Sequence, residues 1–191
     1  PRIAKKAKAG QFVILRVNEN GERTPLTIAD YYDNTITLIY QVVGTTTKLL
    51  AELNEGDYIL DLVGPLGKAS DLDNIKKVCV VGGGVGCAIA YPTAKALYNN
   101  GCDVAVISGF RNKDLVILED EFKAVSNRYY LVSDDGSAGQ KGLVTNVLKE
   151  LLEKETFDEV IAIGPLIMMK FVSLVTKEYN VKTVVSMNPI M

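Results

Sequence analysis

Four glycines fall within five positions at Gly82-Gly83-Gly84-Val85-Gly86. They lie between the apolar run Val78-Cys79-Val80-Val81 and the small-residue stretch Cys87-Ala88-Ile89-Ala90. A strand that turns on glycines into a helix suits the pyrophosphate of a nucleotide. The backbone can come close, and the helix start offers amide N–H groups and a positive dipole end. The spacing Gly82-x-Gly84-x-Gly86 is not GxGxxG, and the next strand ends in Ser108-Gly109-Phe110-Arg111 with no acidic ribose ligand. A tight turn that needs glycine for helix–strand packing is the competing reading.

Three further clusters sit where chain turns are expected. Gly164-Pro165-Leu166-Ile167-Met168-Met169-Lys170 follows the apolar run Val160–Ile163 and enters a helix, at the strand edge where open α/β sheets bind ligands. Met168 and Met169 are equally suited to a core. Ser133-Asp134-Asp135-Gly136-Ser137-Ala138-Gly139 is either a polar turn or room for a ribose or adenine. Nearer the start, Glu22-Arg23-Thr24-Pro25-Leu26-Thr27-Ile28 precedes Gly44-Thr45-Thr46-Thr47-Lys48, a loop feeding a short helix with Thr46 or Thr47 as its cap. Such a helix start can hold phosphate oxygens or can simply be capped.

The chain has no histidine, which excludes a Ser-His-Asp triad, a Cys-His pair and most zinc hydrolase sites. Chemistry must then rest on carboxylates or on a bound cofactor, and hydride transfer fits because the cofactor carries it. Net charge is −2 with no basic block, so nothing points to nucleic acid. No apolar run approaches the ~20 residues of a membrane span, and no secretory pattern is present. Cys79, Cys87 and Cys102 form no CxxC pair, which reads as buried thiols in a reducing cytoplasm and argues against a metal site in this chain.

The elements that must position these residues divide in two. Residues 1–67 read as β structure, with strands at Phe12–Val17, Thr35–Val43 and Tyr58–Val63 and one short helix at Thr46–Leu53. Little helix and several glycine turns predict a small antiparallel barrel. Residues 68–191 form the second domain, with a linker over 68–76. Strands at Lys77–Val81, Asp103–Ser108, Arg128–Ser133, Glu159–Ile163 and Thr183–Ser186 alternate with helices at Ala88–Asn99, Leu118–Ala124, Leu143–Glu153 and Leu166–Tyr179. That alternation predicts a parallel sheet covered on both faces. The chain opens on Pro1 and closes on Met191 just after a strand-like run, and both ends read as cut.

A barrel carrying Arg…Pro-Leu-Thr and Gly-x-x-Thr, followed by a sheet with GGGVG and Gly-Pro-x-x-Met, resembles the ferredoxin–NADP reductase superfamily. Within it the resemblance is to flavoprotein electron-transfer subunits, those of dihydroorotate dehydrogenase, sulfide dehydrogenase and NADH-dependent reduced ferredoxin:NADP oxidoreductase. It covers essentially the whole chain. It implies that Arg23, Pro25, Leu26 and Thr27 line FAD, with Thr27 near the flavin. Ile39, Tyr40 and Gln41 would add strand contacts, and Gly44, Thr46 and Thr47 would grip the pyrophosphate. Gly82, Gly83, Gly84 and Gly86 would face the nicotinamide nucleotide, helped by Arg111, Asp134, Gly136, Gly164, Pro165 and Met168. Flavin and nicotinamide would stack between the domains, with no residue acting as general acid or base.

The same resemblance implies a [2Fe–2S] cluster on a cysteine-rich segment after Ser186-Met187-Asn188-Pro189-Ile190-Met191, and this chain stops there. The implied protein is an FAD-dependent electron-transfer subunit of a cytoplasmic complex. It would exchange hydride with NAD(P)H and pass electrons through an iron–sulfur centre to ferredoxin or a larger iron–sulfur flavoprotein or dehydrogenase subunit. The alternatives are a self-contained NAD(P)H:acceptor reductase and a non-catalytic nucleotide-binding module. Arg111 and Lys113 favour NADP through a 2′-phosphate, whereas the resemblance favours NAD(H), the choice adopted.

Overall fold

A computed structural model describes residues 1–187. The Asn188–Met191 part of the motif singled out above lies outside the described residues. The chain divides into two compact units, Pro1–Asp71 and one from Leu72 onwards.

The first unit is an antiparallel sheet of β1 (Phe12–Arg16), β2 (Thr24–Tyr32), β3 (Thr35–Leu38) and β4 (Asp61–Leu66), in the order β3-β2-β1-β4. Alternation along β1 turns Val13 and Leu15 inward, and Val13 packs with Ala7 and Ile28 in a small core flanked by Ile36, Leu38 and Leu62. One helix, α1 (Thr45–Ala51), follows β3.

Two expectations need correcting here. Of the Arg23–Ile28 cluster, read as a turn, Thr24–Ile28 belong to a nine-residue strand, with Pro25 opposite Ile14 and Arg23 just before the strand. Proline is tolerated because β3 reaches only to Ile28, so on that side no ladder crosses Pro25. The strand expected over Thr35–Val43 stops at Leu38. The amides of Val43 and Gly44 are given instead to the Thr47 hydroxyl, each at 3.0 Å. Helix capping thus takes the Val43 amide at the end of the expected strand.

The second unit is a parallel sheet of β5 (Lys77–Gly83), β6 (Asp103–Phe110), β7 (Arg128–Ser133), β8 (Gln140–Lys141), β9 (Glu159–Ile163) and β10 (Lys182–Val185), in the order β10-β9-β5-β6-β7-β8. Helices α2 (Gly86–Asn99) and α3 (Glu119–Ala124) supply one apolar cluster, and α4 (Val144–Lys154) and α5 (Leu166–Glu178) the other. Strand alternation feeds both. Val78, Val80, Val104 and Val106 face α2 and α3, while Cys79, Val81, Ala105 and Ile107 face α4 and α5. No helix among the described residues is long and apolar enough to cross a membrane.

Candidate functional site

After β7 and β8 the chain returns to the far side of β5 to lay down β9. The order therefore reverses between β5 and β9, and open sheets present their ligand crevice at such a point, beyond the strands' C-terminal ends. The glycine turn closes β5 and Gly164-Pro165 closes β9, so the structure brings Gly82, Gly83, Gly84, Gly86, Gly164, Pro165 and Met168 together there. Gly83 is packed against the side chains of Met168 and Pro165.

The glycines do different work. A Cβ on Gly86 would stand 2.6 Å from both the Gly164 Cα and the Ile163 carbonyl oxygen, so only hydrogen lets α2 start so close to β9. Gly82 is pressed by Cys87 in the same way, its Cβ position 2.8 Å from Sγ. Gly84 differs. Its φ is +54°, and a Cβ there would meet nothing within 4 Å. Chain packing thus accounts for three glycines, and the fourth presents bare backbone to open space. Its own amide donates to the Gly109 carbonyl at 2.8 Å, and the Cys87 and Ala88 amides close the first turn of α2 on the Gly84 and Val85 carbonyls.

Arg111 and Asp134 follow the C-terminal ends of the neighbouring β6 and β7. The Asp134 amide donates to Phe110 at 3.0 Å and the Asp135 amide to Arg111 at 3.3 Å. The two loops are joined further by Ser137, whose hydroxyl accepts the Lys113 amide at 2.8 Å. Asp135 accepts both the hydroxyl and the amide of Ser137, which holds its carboxyl below the usual value. Gly136 has a φ of +80° and packs on Lys141. Sequence reasoning did not single out Ser137, although a serine two residues after an aspartate is an Asx-turn signal.

In the first unit, Arg23 pairs with Asp61 at 2.8 Å. Pro25, Leu26 and Thr27 lie along β2, and Thr24 donates to the buried Thr46 hydroxyl at 3.2 Å. The Thr47 hydroxyl accepts the amides of Val43 and Gly44 and donates to the Gly44 carbonyl. The N-cap residue is thus Gly44 and not Thr46 or Thr47, with the Thr47 hydroxyl reaching back to it from the third helical position. Gly44 leaves open space where a Cβ would stand. Ile39, Tyr40 and Gln41 lie in the segment between β3 and α1.

Residues 80–174 match the oxidoreductase NAD-binding domain. The whole chain is 48% identical to a Thermotoga maritima homologue of the dihydroorotate dehydrogenase B (NAD(+)) electron-transfer subunit, spanning 68% of that protein. It is also similar to a solved structure of the NADH-dependent reduced ferredoxin-NADP oxidoreductase, at 47% identity and a TM-score of 0.92, over 100% of this chain and 70% of that one. The cytochrome b5 reductase domain of Ulva prolifera nitrate reductase shares the fold at 16% identity and a TM-score of 0.73, over 95% of this chain and 86% of that one.

Proposed function

The chain belongs to the family of dihydroorotate dehydrogenase B electron-transfer subunits and their homologues, with its oxidoreductase NAD-binding domain, and from that membership we propose a flavoprotein that exchanges hydride with NAD(H) and passes electrons singly to a larger subunit. It is an oxidoreductase electron-transfer subunit. FAD, when bound, would supply the change from a two-electron hydride to one-electron transfers. The chain's own residues bind, orient and exclude water.

The single observation that carries this reading is Gly84, an open, positive-φ glycine at the point where the sheet order reverses. Its bare backbone and the N-terminus of α2 would receive the nucleotide pyrophosphate, since an anion is favoured there. Gly164, Pro165 and Met168 would form the wall beside it, and Arg111, Asp134 and Gly136 would take the adenosine end. Asp134 would suit ribose hydroxyls and Arg111 and Lys113 a 2′-phosphate, so the choice of NAD(H) rests on the family membership.

For FAD, Gly44 at the start of α1 leaves open space where a side chain would stand, beside the first-turn amides of that helix, so the first unit's residues fit a phosphate-bearing cofactor. Its pyrophosphate would lie against Gly44, where no side chain intrudes, and be held by the first-turn amides of α1 at Thr46 and Thr47 and by Arg23. Pro25, Leu26, Thr27, Ile39, Tyr40 and Gln41 would line the rest. The residues do not fit an iron–sulfur cluster. Cys79, Cys87 and Cys102 are each buried, and no group of three or more His, Cys, Asp or Glu among the described residues could hold a metal.

Reconstitution tests the FAD assignment. Protein mixed with FAD and desalted is expected to stay yellow in a one-to-one complex, and Arg23→Ala to retain less. Colourless wild-type protein after desalting would sink it.

A further inference from the structure

Directly beneath the glycine turn, on the α2–α3 side of the sheet, lie three polar groups from three elements: the Cys87 thiol, the Ser108 hydroxyl and the Tyr129 phenol. Ser108 pairs in register with Gly82, and the Cys87 sulfur occupies the space Gly82 leaves. Leu131 of β7 pairs with Ser108, and Tyr129, two residues back on the same face, stacks on Phe122 with centroids 6.1 Å apart. Cys87 and Ser108 are fully buried, and the Tyr129 oxygen is closed off from solvent.

In this conformation neither the Ser108 nor the Tyr129 oxygen makes a hydrogen bond. Burial pushes the Cys87 thiol and the Tyr129 phenol up to about 12, and at both the Ser108 hydroxyl works against that push. Register sets Ser108 beside Gly82, in whose vacant side-chain space the Cys87 sulfur sits, and Tyr129 lies one diagonal along the same face on β7. An idle buried hydroxyl is costly, and the partners its surroundings offer are this thiol and this phenol.

We propose that Ser108 is a positioning residue for nucleotide binding: its buried hydroxyl, without a partner in this structure, takes Cys87 of the first turn of α2 or Tyr129 of β7 as its partner when nucleotide is bound, and so fixes the height of the Gly82–Gly86 turn over the sheet. This rests on reading that turn as the nucleotide site. Ser108 touches no ligand itself. It acts through the turn, where a small displacement changes how closely the Gly84 backbone approaches a pyrophosphate.

Isothermal titration of the FAD-loaded full chain with NAD+, beside thermal unfolding, tests it. Ser108→Ala is expected to weaken NAD+ about ten-fold, the worth of one hydrogen bond. Tyr129→Phe should move affinity the same way, and Ser108→Cys, which keeps a donor and an acceptor, should restore most of it. Should Ser108→Ala fail to fold, Tyr129→Phe carries the test. Unchanged NAD+ affinity in both Ser108→Ala and Tyr129→Phe would overturn the role of Ser108 alone. Wild-type protein that takes up no NAD+ would overturn the nucleotide reading itself, and this inference with it.

Discussion

Replacing Gly84 with alanine separates ligand binding from folding. At a φ of +54° an L-residue is strained, costing roughly 1–2 kcal/mol, but the added methyl touches nothing in the chain. The melting midpoint should fall by about 2–8 °C, at 2–4 °C per kcal/mol for a protein of this size. Nucleotide affinity should suffer much more. The methyl projects about 1.5 Å from the backbone into the space the pyrophosphate would use, and one lost charge-assisted hydrogen bond is worth about 1.5–3 kcal/mol, or ten- to hundred-fold. Gly86→Ala is the control, because its methyl would stand 2.6 Å from backbone atoms of Ile163 and Gly164 that cannot yield cheaply. It should cost about 3 kcal/mol of stability. The assay is NAD+ titration calorimetry paired with thermal unfolding of both variants. The reasoning is refuted if Gly84→Ala binds NAD+ like wild type, or if it unfolds as readily as Gly86→Ala.

Thr47→Ala removes the hydroxyl that caps α1 and should cost about 1 kcal/mol in denaturant unfolding, leaving NAD+ affinity unchanged. The Asp158 carboxylate accepts the Lys77 and Lys76 amides at 2.9 Å each, which holds its folded pKa below the unfolded value near 3.9. Its stabilising contribution is therefore complete above that value and is lost as pH falls through the folded one; Asp158→Asn should flatten the unfolding-versus-pH curve in that acid window. Burial raises the Cys79 thiol far above its ordinary value and the Cys87 thiol to about 12, so at pH 8 both should resist alkylation until the protein unfolds. Mass spectrometry after pulse labelling reads this directly, and prompt labelling of either in the native state would contradict it.

The parallel sheet was legible because its strands are short apolar runs between helical stretches, and Arg128–Ser133 and Glu159–Ile163 stand as expected. The first unit was harder to read. Pro25 disguised the longest strand as a turn, since a proline argues against a strand unless the side it faces carries no ladder. Val42 and Val43 extended an apparent strand, whereas the Val43 and Gly44 amides in fact go to the Thr47 hydroxyl. At the site, the sequence showed the glycines but not that Gly82, Gly83 and Gly86 serve packing while Gly84 faces outward. That distinction depends on which backbone lies opposite, which is decided by β9, some eighty residues away. The link between Ser137 and Lys113 was invisible for the same reason.

The most direct test mixes the FAD-loaded protein with NADH under anaerobic conditions in a stopped-flow instrument and follows the flavin absorbance. Saturable bleaching is expected, faster with NADH than with NADPH and slowed at limiting nucleotide by Gly84→Ala. A flavin band that persists with NADH in excess would contradict the account.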